Sequence, residues 1–292
     1  MHAPIAVPVR RVIVVVLDGL RPDAIPRFAL PHLSSLARRG ASTMRGRTVS
    51  PSVTACAMAS LVTGASPERH GLRSDRFHIP RISGPLHPLA RVLAEHSLPS
   101  SAFLATMPLM FAAIARRIAS HAGVGHASFA GAGCEDILRA ATPALRSQRS
   151  GMILLHWPDG DRAGHEDGWM SAGYENAVRR MDASVGVLVD DVLLGLDDPE
   201  TLLIALADHG GGGAVSKHHD SEHPLDTTIP IILAGGAVRR QELAPGASLL
   251  DVPATVCWAL GLPQPESYGG TPLRSALEEA PETAPATAGM AA

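Results

Sequence analysis

Short apolar runs punctuate the chain, and most of them stop abruptly at a glycine, a proline or a charged side chain. Val12–Leu17 is apolar throughout, rich in β-branched residues, and stops at Asp18-Gly19. Runs of this length, bounded by turn residues, predict strands buried on both faces. The same reading predicts strands over Ser42–Arg47, Ser101–Ala105, Ala127–Ala130, Met152–His156, Thr201–Ala207 and Thr228–Leu233. Between them, apolar positions recur at three-to-four spacing and predict helices over His32–Arg39, Ala55–Val62, Pro88–Glu95, Leu109–Ser120, Glu135–Ser147, Ser171–Leu194 and Asp251–Leu260. In the longest of these, Ala177, Met181, Val185, Leu188 and Val189 form the apolar stripe, with Arg179, Arg180 and Asp190 elsewhere on the surface.

Alternating strands and helices predict an α/β fold, a mostly parallel central sheet flanked by helices on both faces. No Gly/Ser linker divides the chain, so residues 1–277 are expected to form a single domain. The Ala, Pro, Glu and Thr tail from Glu278 to Ala292 is expected to be disordered. The loop from Gly71 to His87 has little periodicity and is expected to help form a substrate mouth.

Composition narrows the function classes. Net charge is −3 with basic residues scattered, which gives no surface for a nucleic-acid polymer or a membrane. No apolar run reaches the ~18 residues of a membrane span. The basic residues before Val12 resemble a signal peptide, but the run is short and Asp18 stops it, so a first buried strand is expected. Cys56, Cys134 and Cys257 show no paired spacing, which fits a reducing, cytoplasmic setting.

The chemistry gathers at the strand ends. Val12–Leu17 runs into Asp18, Thr201–Ala207 into Asp208-His209-Gly210, and the run ending at Trp157 into a loop with Asp161 and, four residues on, His165. Ligands of a parallel α/β sheet bind at the carboxyl ends of its strands. Carboxylates and imidazoles from three strand ends imply one shared site, and such mixed oxygen and nitrogen donors suit zinc or a similar divalent ion. A hydroxyl just ahead of the helix near Ala55 could be a nucleophile, with the helix N-terminus favouring a phosphoryl oxygen, or it could simply cap that helix. Spacing alone does not choose among Ser50, Ser52 and Thr54.

Taken together, several motifs resemble the alkaline phosphatase superfamily, most closely its nucleotide pyrophosphatase/phosphodiesterase-like branch. They are Leu17-Asp18-Gly19, Val62-Thr63-Gly64 through Pro67-Glu68-Arg69-His70-Gly71, Asp161 to His165, Asp208-His209-Gly210, and His219 to Pro230. The resemblance spans about Val12 to Leu273. It implies two divalent metal ions, usually zinc, with manganese or magnesium as alternatives. It also places the nucleophilic hydroxyl eight residues before Val62, at Thr54. By the same resemblance Asp161, His165 and His219 hold one metal, while Asp18, Thr54, Asp208 and His209 hold the other. His218 and His223 flank His219; alignment of the Thr228–Pro230 strand favours His219 as ligand and leaves His223 facing the substrate.

Two positions depart from the branch. Ala55 stands where an aromatic residue usually follows the nucleophile, and Asp75 stands where an asparagine usually binds a phosphoryl oxygen. A carboxylate there repels an anion, so Arg73 and Arg76 are the expected positive partners. The expected activity is hydrolysis of a small phosphate ester, foremost a diester, through a phospho-threonine. Phosphonate hydrolysis, a monoesterase or mutase, a sulfatase (for which the Cys56 segment fits poorly), and a non-catalytic metal-binding relative are the alternatives.

Overall fold

The computed structural model describes residues 9–74 and 80–277. The tail beyond, expected to be disordered, lies outside the described residues, as do Asp75 and Arg76. The seven expected strands form, with ends shifted by a residue or two: β1 Arg11–Leu17, β2 Ala41–Arg47, β3 Ser100–Leu104, β4 His126–Phe129, β5 Gly151–Trp157, β6 Thr201–Leu206 and β7 Thr228–Ala234. An additional short β8, Gln241–Glu242, closes one edge.

One sheet holds all eight, in the order β4-β3-β5-β1-β6-β7-β2-β8. β5, β1 and β6 run parallel side by side at its centre. Every residue of these three strands is buried, as a strand covered on both faces requires. β7 lies antiparallel to both β6 and β2. The sheet is therefore mostly parallel, with β7 the reversed strand, and β2 again points its carboxyl end toward the edge where β5, β1 and β6 end.

Helices cover both faces. Pro31–Arg39, Cys134–Ser147 and Ala172–Gly186 pack together as one layer. Thr54–Thr63, Leu89–Glu95, Leu109–His121 and Asp251–Ala259 form the other. The expected Ser171–Leu194 helix divides: an α-helical part is capped by the Ser171 hydroxyl, which accepts from the Tyr174 N–H, and the turns at Val187–Val192 widen to π geometry. Asp159–Asp167 is helical where the sequence suggests a loop or single turn; Asp159 and Asp161 lie in its first turn, where the positive end of the helix dipole favours them. Among the described residues no helix is long and apolar enough to cross a membrane. All three cysteines are free and buried, and burial pushes the thiols of Cys134 and Cys257 up to about 12.

One buried contact locks two helices of the first layer together. Leu30, at the N-cap of Pro31–Arg39, supplies no side-chain acceptor. The Asp182 carboxylate, from the long helix, accepts instead from the N–H groups of Leu33 (2.8 Å) and His32 (3.3 Å). Burial raises the Asp182 pKa, and these two bonds oppose that rise. Asp182→Ala leaves the helix end uncapped and is expected to cost about 1–2 kcal/mol. Urea unfolding of the two proteins checks this; an unchanged midpoint would show that the cap does not contribute.

Candidate metal centre

The carboxyl edge of β5, β1 and β6 is where the polar residues gather. β1 ends at Leu17, and its next residue, Asp18, is buried. Gly19 follows with φ +70, a left-handed conformation that glycine tolerates. It is also where two backbones meet: a Cβ on Gly19 would lie 2.7 Å from the Asp161 Cα. The Asp161 N–H donates to the Asp18 carbonyl (2.9 Å), and the Gly19 N–H donates to Asp208 Oδ1 (3.2 Å). The turn after β1 thus fixes carboxylates from the ends of all three strands. Trp169 Nε1–H and the Tyr174 hydroxyl both donate to the Gly19 carbonyl, at 2.9 Å each, and hold the turn from behind.

Two triads result. Asp161, His165 and His219 present ligand atoms within 4.8 Å of one another, and so do Asp18, Asp208 and His209. They adjoin: His209 Nε2 is 3.9 Å from Asp161 Oδ1, and the rings of His209 and His219 stack at 3.8 Å. Thr54 opens its helix at the same place. Val53, not Thr54, is the N-cap residue, and its own side chain makes no cap bond. The Thr54 hydroxyl donates instead to His209 Nε2 at 3.0 Å.

The imidazoles are oriented for coordination. Nδ1 of His165, His209 and His219 lies 2.8, 2.8 and 2.6 Å from the carbonyls of Lys217, Gly210 and Ser52. A carbonyl only accepts, so each Nδ1 carries the proton and each Nε2 presents a lone pair. His165 and His219 thereby aim two lone pairs at each other across 3.1 Å. Such a contact is unfavourable without a shared cation.

The carboxylates make the same demand. Asp161 Oδ1 and Asp208 Oδ2 are buried and accept no hydrogen bond among the described residues. Their ion-pair partners among the described residues are histidines. Burial alone raises the Asp208 carboxyl, but His209, His156, Asp18 and the Gly19 N–H together hold it below the usual range. His219 is held low by burial and by neighbouring His209, which keeps it in the neutral, ligating form. Buried anions with lone-pair donors around them fit divalent cations, as the donor set of mixed O and N atoms also does.

None of the remaining described candidates belongs to either triad. His223 is exposed and caps the Pro224–Thr227 turn, its Nδ1 accepting from the Leu225 N–H at 3.1 Å. His218 is exposed, its ring 6.2 Å from that of His165. Arg73 pairs with Glu68 at 3.4 Å. Ser52 is buried, its hydroxyl donating to the carbonyls of His219 and Ser221, which makes it a support for the His219 ring.

Sequence reasoning misses one residue in contact with the site. His156 on β5 places Nε2 3.2 Å from Asp18 Oδ2, and burial holds its pKa low against the pull of Asp208 and Asp161. The available signal is an imidazole inside an otherwise apolar strand, Met152-Ile153-Leu154-Leu155-His156-Trp157.

Two measurements check this geometry. Metal titration should show His219→Ala weakening one metal site at least tenfold, as loss of a ligand or its supporting partner does, and His223→Ala leaving both nearly unchanged. A larger loss in His223→Ala would reverse the assignment. Gly19→Ala should keep the fold by circular dichroism yet bind metal poorly, because its Cβ would displace Asp161. Normal metal content in that variant would show the turn to be dispensable.

The chain has relatives with the same architecture. Residues 110–264 match the family described as Metalloenzyme superfamily, and residues 12–89 match Type I phosphodiesterase / nucleotide pyrophosphatase. A 2,3-bisphosphoglycerate-independent phosphoglycerate mutase of Rhodopirellula baltica is 30% identical over 142 residues, 48% of this chain. That match spans only 25% of the mutase's own length. A 2-O GAG sulfatase superposes with a TM-score of 0.73 at 15% identity, covering 93% of this chain and 74% of the sulfatase. Murine ectonucleotide pyrophosphatase / phosphodiesterase 5, in an inactive form in complex with AMP, gives 0.66 at 16% identity, covering 88% and 96%. At such identities the structural likenesses speak for the fold, and the family matches carry the kinship. The chain belongs to the metalloenzyme superfamily of the alkaline phosphatase type.

Proposed function

We propose that the chain is a two-metal phosphodiesterase acting through a phospho-threonine at Thr54. The observation that carries this reading is the Thr54 hydroxyl, 3.0 Å from His209 Nε2, at the start of a helix beside two adjoining ligand triads. Asp161, His165 and His219 would hold one ion; Asp18, Asp208, His209 and Thr54 would hold the other. Zinc suits the donors best, with manganese or magnesium as alternatives. When bound, the ions supply the positive charge that lowers the pKa of the hydroxyl and steadies the leaving oxygen.

The chain's own groups do the rest. The Thr54 oxygen gives up its proton to solvent and attacks phosphorus, the bond to the leaving group breaks and that oxygen takes up a proton to depart as the alcohol, and water then cleaves the phospho-threonine to release the phosphate monoester and return the free hydroxyl. The N-terminus of Thr54–Thr63 directs its dipole at the phosphoryl oxygens. The Nδ1–carbonyl bonds keep the imidazoles from rotating as charge develops.

Charge favours a diester. A monoester dianion needs cationic partners around its free oxygens, and Arg73 is already paired with Glu68. Asp75, in the same loop by sequence, adds negative charge. The mutase kinship favours a second reading, transfer of a monoester phosphoryl group to another alcohol.

Two experiments decide. Thr54→Ala should lose at least about 10³-fold in turnover while binding metal, and Thr54→Ser should recover part of it. Near-normal turnover in Thr54→Ala would remove Thr54 as nucleophile. The ratio of kcat/KM for methyl 4-nitrophenyl phosphate to that for 4-nitrophenyl phosphate should exceed one; a ratio below one would favour the monoester reading.

A further inference from the structure

An apolar cavity begins one residue from the proposed nucleophile. It has a volume of about 520 Å³ and lies between the Thr54–Thr63 helix, the Leu109–His121 helix and the sheet. That size falls within the ~300–1,000 Å³ of ligand pockets. Its walls are apolar. Ala55, Met58, Ala59 and Val62 line it from the nucleophile's own helix. These positions follow i, i+3, i+4, i+7 spacing, a single helical face. Ala115, Ile118, Ala119 and Ala122 line it from the facing helix at the same spacing. Short alanine side chains on both walls leave the gap. Ile118 and Ile82 line the cavity and are also 64% and 56% exposed, so they form its rim.

An apolar void of this size calls for an occupant. An engineered apolar cavity of about 150 Å³ already stays dry and takes up benzene or xenon. The polar side chains lining this one among the described residues, Thr63, His70, Ser100 and Ser101, are already hydrogen-bonded within the protein, so a sugar, a second phosphate or a polar head group would lose its hydrogen bonds there. Phe129 is its one Phe, Tyr or Trp lining residue among the described residues, which leaves little for a nucleobase to stack on. A flexible alkyl chain needs only apolar contact and suits both walls.

We infer that this cavity is the subsite for one long alkyl chain, and that the substrate is an amphiphilic phosphate ester with its phosphorus at Thr54 and its tail beneath the Thr54–Thr63 helix. The inference rests on the reading of Thr54 as the nucleophile. It goes beyond that reading by naming the substrate class.

The test uses the metal-loaded chain and a series of alkyl 4-nitrophenyl phosphates from methyl to dodecyl, all below micelle-forming concentrations. The leaving group is constant, so only the tail varies. The dodecyl ester should exceed the methyl ester in kcat/KM by at least tenfold. That demands burial of only two methylenes at about fourfold each. Ala59→Phe and Ala119→Phe fill the cavity from opposite walls, and each should reduce the dodecyl-to-methyl ratio toward one. The ratio cancels any general loss of activity. Calorimetry on Thr54→Ala with methyl dodecyl phosphate against dimethyl phosphate reads tail binding without turnover. If the dodecyl compound binds tighter, and Ala59→Phe or Ala119→Phe added to Thr54→Ala abolishes that gain, the subsite stands even where no ester is hydrolysed, and the reaction reading alone falls. If all esters turn over alike and both ligands bind alike, the subsite falls and the reaction reading survives. A chain-length preference that persists in both filled variants overturns this cavity as its source.

Discussion

Burying a carboxylate costs several kcal/mol unless an opposite charge or a set of donors replaces its water. Asp18 and Asp208 are almost wholly buried, and Asp161 stands partly buried beside them. The free carboxylate oxygens of Asp161 and Asp208 face imidazoles whose Nδ1 atoms are tied to carbonyls, so those rings offer lone pairs rather than protons. Anions facing lone pairs are mutually repulsive. The fold tolerates the arrangement because it is complete only with cations bound, and binding to the native state then adds to stability by mass action. The sheet holds the cost in place from three directions at once.

The turn after β1 shows how tightly this is built. Asp18, Gly19 and Asp161 exchange backbone contacts so close that no side chain fits at Gly19. Behind the turn, Trp169 and Tyr174 converge on a single carbonyl. Trp169 packs edge-on against His165 and lies close to His219. One aromatic side chain therefore braces both the turn that positions Asp18 and the imidazoles of the other triad, so the two triads are mechanically linked.

Much of this was legible in the sequence, and for a physical reason. A strand buried on both faces must be apolar along its length, so Asp18 and Asp208 mark their strand ends without ambiguity. Which of His218, His219 and His223 enters the site was legible only through the family resemblance, because irregular loops carry no periodicity. The structure shows His219 inside a triad and His223 at a turn cap. His156 was hidden because strand burial predicts an apolar side chain at its position, and the Asp18 contact explains the exception. The apolar cavity was invisible for a related reason. Alanines at helical spacing read as core, and nothing in the pattern says whether the facing helix closes against them.

That the cavity stays open follows from how the Thr54–Thr63 helix is held. At its start, the preceding Ser52 is fixed by bonds between its hydroxyl and carbonyl and the His219 segment. At its end, Gly64 adopts φ +64 with no room for a Cβ, which would fall 2.3 Å from the Tyr268 ring. In between, the Ser60 hydroxyl bonds the buried His70 ring at 2.9 Å. A helix anchored at both ends and along one side cannot slide inward to fill a void without moving Thr54 away from the triads. The geometry that fixes the hydroxyl is thus the same geometry that keeps the alanine face from collapsing onto the sheet. Polar chemistry at the helix start and apolar space along its flank are two consequences of one set of restraints.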